Sequence, residues 1–365
     1  MSRVKVTTLR SVHIGNGNLL QNNTDFVVDG NNIYVIDPEK VLDIIGIEKL
    51  DYWVSAIERR ENLKEFLGRV GKNCLPNEYA SRVIDNYSSI QNDKTLKECI
   101  HDGRGYPYIP GSSIKGAIRT AILSSIINSS PNRYNLNDVN NSGKMGSSNL
   151  EKKLFGDVQD SLFKYLRVGD AFFDKGSEVA IDEINLNIRN NQDNLKDVSK
   201  LQSIEVISYD CESECNITLA LDNHRLAFNR NNSVKPLPNE MQSLSSIFNT
   251  INRHTKKLIE DDIEFWKDIS QEKEGANDYI DSISGVIQDI EDCEPGSECV
   301  LRVGHASGWR FTTGAWTEPY QWFEPHVVPA SRPKNHLYKE YDFPKSRRIE
   351  SNSDVLGFIK LSIIE

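Results

Sequence analysis

The chain has 365 residues, enough for about two domains, with 38% apolar and 26% charged residues. Forty-three Lys and Arg against 53 Asp and Glu give a net charge of −10, which argues against indiscriminate duplex binding but not against a local basic surface. No apolar run has the length of a membrane helix, no signal peptide is recognisable and the six cysteines are too sparse for a disulfide framework. We therefore expect a cytoplasmic protein with reduced thiols and no membrane contact.

The N-terminal pattern predicts β-structure. Residues 4–9 alternate apolar and polar side chains, which is typical of a half-buried strand. The turn that follows holds His13, Gly15 and Gly17, and residues 25–37 then predict two strands joined at Asp29-Gly30 as a hairpin. From Pro38 to about residue 100 the apolar spacing indicates helices.

The segment from Tyr106 to Leu123 predicts a Gly-Ser loop that opens a helix. Ser112 or Ser113 is a suitable N-cap, and Ile114, Ile118 and Ile122 repeat along one helix face. A helix N-terminus favours phosphate; Gly111 permits close approach, and Lys115 and Arg119 add positive charge. The spacing is not that of a Walker A loop, and the alternative is an ordinary capped helix with solvated basic residues.

Residues 128–150 are rich in Asn, Ser and Gly and predict a mobile surface insertion. Strands are expected within 166–173, 203–208 and 216–222, followed by an acidic helical region. Between residues 260 and 298 there are 14 Asp or Glu against two Lys, so we expect this block to face protein or solvent. The adjacent basic stretch, 302–348, would then lie on the other side, toward RNA.

The 302–316 segment is rich in glycine and aromatic residues. Gly304, Gly308 and Gly314 would allow close approach to a ligand, and Arg302 and Arg310 would add charge. Its aromatic side chains suit base stacking in single-stranded RNA, but they suit a hydrophobic core equally well: Trp309, Phe311 and Trp316.

No metal or cofactor site is predicted. The histidines at positions 13, 101, 305 and 326 are scattered, and the cysteines lack the paired spacing of a zinc site. Asp37, Asp157 and Asp170 follow strands or turns, where a carboxylate usually caps an N–H group, so we expect no catalytic residues.

The block from Tyr108 to Arg119, Tyr-Ile-Pro-Gly-Ser-Ser-Ile-Lys-Gly-Ala-Ile-Arg, resembles the signature of the RAMP superfamily, the repeat-associated RNA-binding proteins of CRISPR–Cas systems. The glycine turns near His13 and Gly304 are similar to that family's loops. Further along, Leu154-Phe155-Gly156, the strand from Arg167 to Phe173 and the C-terminal strand keep the same order, so the resemblance spans about residues 4–363.

This resemblance implies an α+β protein with two ferredoxin-like (RRM-like) domains, 1–200 and 201–365, carrying helical and loop insertions. In function, it is similar to the subunit that caps the crRNA 3′ end in type III-A effector complexes, supports crRNA maturation and antiviral defence, and is not itself the nuclease. The implied partners are crRNA as a single-stranded guide, target RNA nearby, backbone RAMP subunits and trimming nucleases. The expected RNA contacts are His13, Gly15, Gly17, Gly111, Ser112, Ser113, Lys115, Arg119, Arg302, Gly304, Gly308 and Arg310.

Two alternatives stay open at this point. One is a processing ribonuclease of the same superfamily, with His13 as general base. The other is a different RAMP subunit of a type III complex, such as the one that grips the 5′ tag.

Overall fold

The computed structural model describes the whole chain except residues 91–93, 142–143, 191–193, 271–272, 333 and 365. The protein is α+β, which confirms the expected class. The strands are β1 (Ser2–Thr8), β2 (Gly15–Gln21), β3 (Phe26–Asp29), β4 (Asn32–Ile36), β5 (Ala80–Asn86), β6 (Thr95–Cys99), β7 (Tyr108–Ile109), β8 (Asn140–Asn141), β9 (Lys144–Met145), β10 (Leu166–Val168), β11 (Ala171–Phe172), β12 (Glu178–Asn187), β13 (Lys196–Ile207), β14 (Glu212–Leu219), β15 (Glu298–Arg302), β16 (Ser346–Glu350) and β17 (Phe358–Ile363).

The helices lie in four parts of the chain: an N-terminal insertion, the centre, a long pair before β15 and two short helices after it. In chain order they are α1 (Pro38–Ile45), α2 (Leu50–Glu58), α3 (Leu63–Arg69), α4 (Pro76–Tyr79), α5 (Gly111–Asn128), α6 (Ser148–Phe155), α7 (Leu221–Arg230), α8 (Leu244–Ser270), α9 (Ala276–Glu291), α10 (Val328–Ser331) and α11 (Asn335–Tyr338). No helix in the described ranges is both long and apolar enough to cross a membrane.

One sheet has five antiparallel strands in the order β10-β14-β1-β17-β15. The alternation that predicted β1 places Val4 and Val6 in the core, opposite Cys215 and Leu361 of the neighbouring strands. Helices α5 and α8 pack on each other and on this sheet, because the isoleucines predicted on one face of α5 are all buried there.

The other large sheet has eight strands, in the order β2-β6-β13-β12-β5-β4-β3, with β16 pairing on β12. Its β3–β4 hairpin confirms the expected turn, in which Gly30 adopts a positive φ of 61°. The helical prediction for 38–100 was correct only to Tyr79, because β5 and β6 follow and join this sheet.

Each sheet combines strands from both sides of residue 200. In the five-stranded sheet, β1 from the N-terminus lies between β14 and β17, and in the eight-stranded sheet β16 pairs with β12. The expected boundary between 200 and 201 falls inside β13. The division into domains 1–200 and 201–365 stays a prediction, and any such division must accommodate this interleaving.

The Asn-rich segment 128–150 contributes to the core, contrary to the expected mobile insertion. Tyr134 and Val139 are buried in the cluster around α5, because short helical turns direct them inward. Residues 142–143, at its centre, lie outside the described residues.

The acidic and basic blocks contact each other rather than lying on opposite sides. Asp262 of α8 is buried, and it forms ion pairs with Arg310 and Arg347 of the basic stretch. The expected separation of the two blocks was therefore wrong at this point. Residues 271–272 of the acidic block lie outside the described residues.

Candidate nucleic-acid interface

Two glycine-containing loops that are far apart in sequence meet in space. The His305 N–H donates to the His13 carbonyl over 2.9 Å, and the two imidazole rings lie 5.5 Å apart, edge to face. Gly304 has a φ of +76°, and a Cβ there would lie 2.5 Å from the His13 oxygen. Glycine is required at 304 because the two backbones approach this closely.

The His13 side chain is turned inward, so it is not the RNA contact that we expected. It is 4% exposed, and its Nδ1 lies 2.6 Å from the Glu205 carbonyl, to which it must donate. Burial lowers the pKa of His13 to about 4, so the ring is neutral at pH 7. The exposed parts of this turn are Gly15 and Gly17.

Beneath these loops, the buried Glu183 of β12 gathers three cationic or polar donors. It accepts from His305 Nε2 at 2.7 Å, Lys97 Nζ at 2.6 Å and Arg348 Nη1 at 3.0 Å. Burial alone would raise the pKa of Glu183, but the hydrogen bonds from His305 and Lys97 and the charge of Arg348 lower it to about 2. This carboxylate therefore holds the late glycine loop against the eight-stranded sheet.

The start of α5 is capped by a distant carboxylate instead of the predicted serine. Pro110 occupies the N-cap position, and the Gly111 N–H donates to Asp170 Oδ1 over 2.7 Å. Gly111 is buried, and a Cβ would overlap the Val168 carbonyl oxygen. The Gly111 N–H is therefore not free for the phosphate contact that we had expected there. The same hydrogen bond confirms the capping role expected for Asp170.

The exposed part of α5 lies one turn further on. Ser112 is exposed, Ser113 is half-buried, and Lys115 has no ion pair with any described residue. Burial and the neighbouring Arg119 lower the pKa of Lys115. Arg119 itself pairs with Glu151 and lies over the Phe163 ring. RNA contacts at these four positions stay a prediction.

Arg302 belongs to the core, so its expected RNA contact was wrong. Its guanidinium donates to the carbonyls of Leu356 and Ala306, at 3.0 and 3.1 Å, and lies over the rings of Phe311 and Phe358. The side chain is 5% exposed. A guanidinium surrounded by backbone and aromatic groups has no free face for phosphate.

Arg310 is likewise unavailable to RNA. It pairs with Asp262 at 2.6 Å and with Glu318 at 2.7 Å, and it is 6% exposed. Burying a guanidinium costs free energy, and here the carboxylates of Asp262 and Glu318 offset that cost by neutralising its charge. A basic residue in the sequence suggested a phosphate contact. The ion pairs with Asp262 and Glu318 show instead that Arg310 belongs to the interior of the protein.

The aromatic residues of the late loop are packed against one another and the core. Trp309 lies 5.2 Å from Phe323 and 5.0 Å from Phe343, and Trp316 donates its ring N–H to Ser147. Phe311 packs on Phe358. Of the two interpretations offered for these rings, the core is confirmed for Trp316, which is buried, whereas Trp309 and Phe311 are half-buried.

A basic groove lies beside this loop, with a cavity of about 670 Å³. Gly308, from the predicted set, lines it with a φ of +72°. The other groove residues used below combine aromatic and cationic side chains: Trp309, Arg332, Lys334, Tyr338, Phe343 and Lys345. We refer to this set, with Gly308, as the basic groove.

Of the cations that line this cavity, Arg347 and Arg348 pair with Asp262 and Glu183. The others, Arg332, Lys334 and Lys345, have no carboxylate within 4.0 Å among the residues that the structure describes. Arg332 is 6% exposed, donates to three backbone carbonyls and lies over the Phe343 ring, so, like Arg302, it belongs to the interior. Lys345 lies 4.8 Å from the Tyr338 ring centre. Burial, together with the like charges of Arg189 and Arg332, lowers the pKa of Lys345. Lys334 and Lys345, which form no ion pair with any described residue, favour an anion in the groove.

Sequence reasoning missed most of this groove. The excess of basic residues between 300 and 349 was visible, but which of them lack carboxylate partners depends on the fold. Arg189, at the end of β12, donates to the Tyr338 hydroxyl from more than a hundred residues away. No local pattern links these two positions.

Comparison with known proteins gives a consistent result. A family model described as the RAMP superfamily matches residues 5–311. The chain is 36% identical over 183 residues to the CRISPR system protein Csm5 of Methanocaldococcus jannaschii, covering 46% of this chain and 42% of that protein. It is 29% identical over 188 residues to Csm5 of Streptococcus thermophilus, covering 46% and 51%. The match thus spans about half the length of these curated relatives.

Solved structures share the fold over nearly the whole chain. A chain in the cryo-EM structure of a Csm–crRNA–target RNA ternary complex, from a type III-A CRISPR–Cas system, matches with a TM-score of 0.74 and 20% identity, covering 99% of this chain and 100% of that one. The crystal structure of T. onnurineus Csm5 matches with a TM-score of 0.65 and 20% identity, covering 97% and 99%. At this identity, both similarities establish a common fold.

Proposed function

Because the chain belongs to the RAMP superfamily, we propose that it is a non-catalytic, crRNA-binding subunit of a type III-A CRISPR effector complex that caps the 3′ end of the crRNA. The two curated relatives are Csm5 proteins, and one of the matching structures is a Csm complex with crRNA and target RNA. The same reasoning supports backbone RAMP subunits as neighbours, target RNA close by and a role in crRNA maturation, with trimming nucleases as further partners.

We also propose that the five-stranded sheet is built on a ferredoxin-like core. The order β10-β14-β1-β17, antiparallel throughout, with α5 following β1 and α8 following β14, is the order of a βαββαβ unit, and β15 is an added edge strand. A second core of this kind would be sought in the eight-stranded sheet. Such sheets present loops and faces to single-stranded RNA in RRM-type proteins.

The observation that carries the proposed function is the uncompensated positive charge of the basic groove. Phosphate oxygens are the anions that Lys334 and Lys345 would neutralise, and Tyr338 provides an aromatic surface in the groove. Arg189 lies next to the groove and donates to the Tyr338 hydroxyl. Contacts of this kind do not read base edges, so binding should depend little on guide sequence and leave the bases free to pair.

The test replaces the two groove lysines, Lys334→Ala with Lys345→Ala. Each lost phosphate contact lowers the slope of log K on log salt by about 0.7 for single strands, so we expect a loss of about 1.4. The matched control is Lys152→Ala with Lys153→Ala, which removes the same charge from lysines of α6 that are paired with Asp157 and Asp138. Fluorescence anisotropy with unrelated single-stranded RNAs gives the slopes. Equal slopes in the two variants would remove the groove from the proposal.

The ribonuclease alternative is tested in the same reactions. Since His13 is buried and bonded through Nδ1 to a backbone carbonyl, we expect purified protein to leave repeat RNA intact, with or without Mg²⁺ or Mn²⁺. Cleavage that disappears in His13→Ala would instead support the processing enzyme.

A further inference from the structure

Three metal-ligating side chains converge on one face of the eight-stranded sheet, away from the basic groove. His101 Nε2 lies 3.0 Å from Glu178 Oε1 and 3.7 Å from Glu205 Oε1, and one donor atom from each of the three lies within 4.8 Å of the others. Both glutamates are buried. Glu178 begins β12 and Glu205 lies on the adjacent β13, whereas His101 follows β6.

A backbone contact shows which nitrogen of the His101 ring lacks a proton and faces the two carboxylates. His101 Nδ1 lies 2.9 Å from the Cys99 carbonyl, which can only accept, so Nδ1 carries the hydrogen. In the neutral ring, Nε2 then carries no proton, and its lone pair is directed at one oxygen each of Glu178 and Glu205. Arg82 already neutralises Glu205, but the Nε2 lone pair and the Glu178 carboxylate still repel each other unless a cation or an added proton lies between them.

Each of the three side chains is also held from behind. The His101 Nδ1–H bond to a carbonyl is the usual outer contact of a metal-bound histidine. Glu178 accepts the Gly176 N–H through its other oxygen at 2.9 Å. Glu205 accepts from the Cys99 N–H and Arg82 Nη2 through Oε2, and Arg82 Nε also reaches Oε1, the oxygen that faces His101, at 3.2 Å. These contacts fix the orientation of the donor atoms before any ion arrives.

We propose that His101, Glu178 and Glu205 form a zinc-binding site. Zinc–nitrogen and zinc–oxygen bonds of about 2.0–2.2 Å place neighbouring ligands of a tetrahedral ion roughly 3.3 Å apart, and the separations of 3.0 and 3.7 Å bracket that value. One imidazole with two carboxylates suits Zn²⁺, whereas Mg²⁺ prefers an all-oxygen, octahedral set. Water would fill the fourth position.

The site would act structurally, by connecting β12 and β13 to the loop that leads into α5. His101 forms an isolated bridge to Pro107, and the Asp102 carboxylate accepts the Arg104 and Tyr106 N–H groups within that loop. An ion bound to His101 therefore anchors the segment that precedes Gly111. This inference is independent of the proposed RNA-binding function.

The experiment titrates Zn²⁺ into the full, tag-free chain after treatment with a chelator. We expect one zinc per chain by calorimetry and elemental analysis, a rise in Tm with zinc, and no response to Mg²⁺. Glu178→Gln and His101→Gln should each weaken zinc binding at least tenfold, as expected for loss of a direct ligand. The control, His326→Gln with His336→Gln, removes two exposed histidines and should bind as the native chain does.

Substitution of Co²⁺ distinguishes this site from the free cysteines, because thiolate ligation adds an intense charge-transfer band that a nitrogen–oxygen site lacks. If His101→Gln does not fold, Glu178→Gln and the stoichiometry of the native chain still decide. Absence of bound zinc in the native chain, a thiolate spectrum, or native affinity in Glu178→Gln would each overturn the proposal.

Discussion

Asp262 is the residue whose replacement should destabilise the fold most clearly. It is 2% exposed and accepts from Tyr279, Arg310 and Arg347, so it neutralises two guanidinium groups inside the protein. Asp262→Asn keeps the size of the side chain but removes its charge. Arg310 would retain Glu318, whereas Arg347 would retain the backbone carbonyls of Pro344 and Ser346 but no carboxylate partner among the described residues.

The magnitude follows from the unpaired guanidinium. Removing one partner of a buried ion pair costs about 3–5 kcal/mol. For 365 residues the entropy of unfolding is roughly 0.8 kcal/mol/K, so Tm should fall by about 4–6 °C. Burial would raise the pKa of Asp262, but Arg347 and Arg310 lower it to about 2, from an ordinary value near 3.9. This shift contributes about 2–3 kcal/mol of stability, which is present above about pH 4 and lost as the pH falls through about 2.

The assay is calorimetry at pH 7 on Asp262→Asn and on its neighbour Asp261→Asn. Asp261 is partly exposed and pairs only with Lys257 among the described residues, so its replacement should cost no more than about 0.5 kcal/mol. If both variants unfold at the same temperature, the buried ion cluster does not contribute to stability as argued.

Two further predictions concern acid-base behaviour and helix α5. Burial raises the pKa of Glu350 to about 7, so the folded chain binds a proton that the unfolded chain has released, and stability should fall as the pH rises from about 4.5 to 7. In Glu350→Gln this part of the Tm-against-pH curve should disappear, with the exposed Glu340→Gln as control; parallel curves for wild type and Glu350→Gln would refute it. Lys115→Ala with Arg119→Ala should lower the salt slope of single-stranded RNA binding by about 1.4. An unchanged slope would assign both residues to solvent or to another subunit.

The sequence was most informative where local pattern decides the structure. Alternation of apolar residues located β1, and Asp29-Gly30 located the β3–β4 hairpin, because both depend only on neighbours in the chain. The isoleucine spacing of α5 identified its buried face for the same reason. The RAMP motif also indicated the protein family, which the spacing of apolar residues does not reveal.

Residues whose role depends on distant partners were not predictable in this way. Asp170 caps Gly111 from 59 positions away, and Asp262 neutralises Arg310 from another element. A basic side chain in a sequence favours an exposed position, and only the fold shows a buried counter-ion. The contact between Gly304 and His13 likewise joins opposite ends of the chain.

The direct test of the central claim is cross-linking within the assembled complex. A photoreactive nucleotide is placed at the 3′ end of the crRNA, or at its 5′ end as control, and the complex is reconstituted with the backbone RAMP subunits. We expect 3′-specific adducts in peptides that carry the basic groove, between Arg332 and Lys345. Adducts from the 5′ probe alone, or 3′ adducts that avoid this chain, would contradict it.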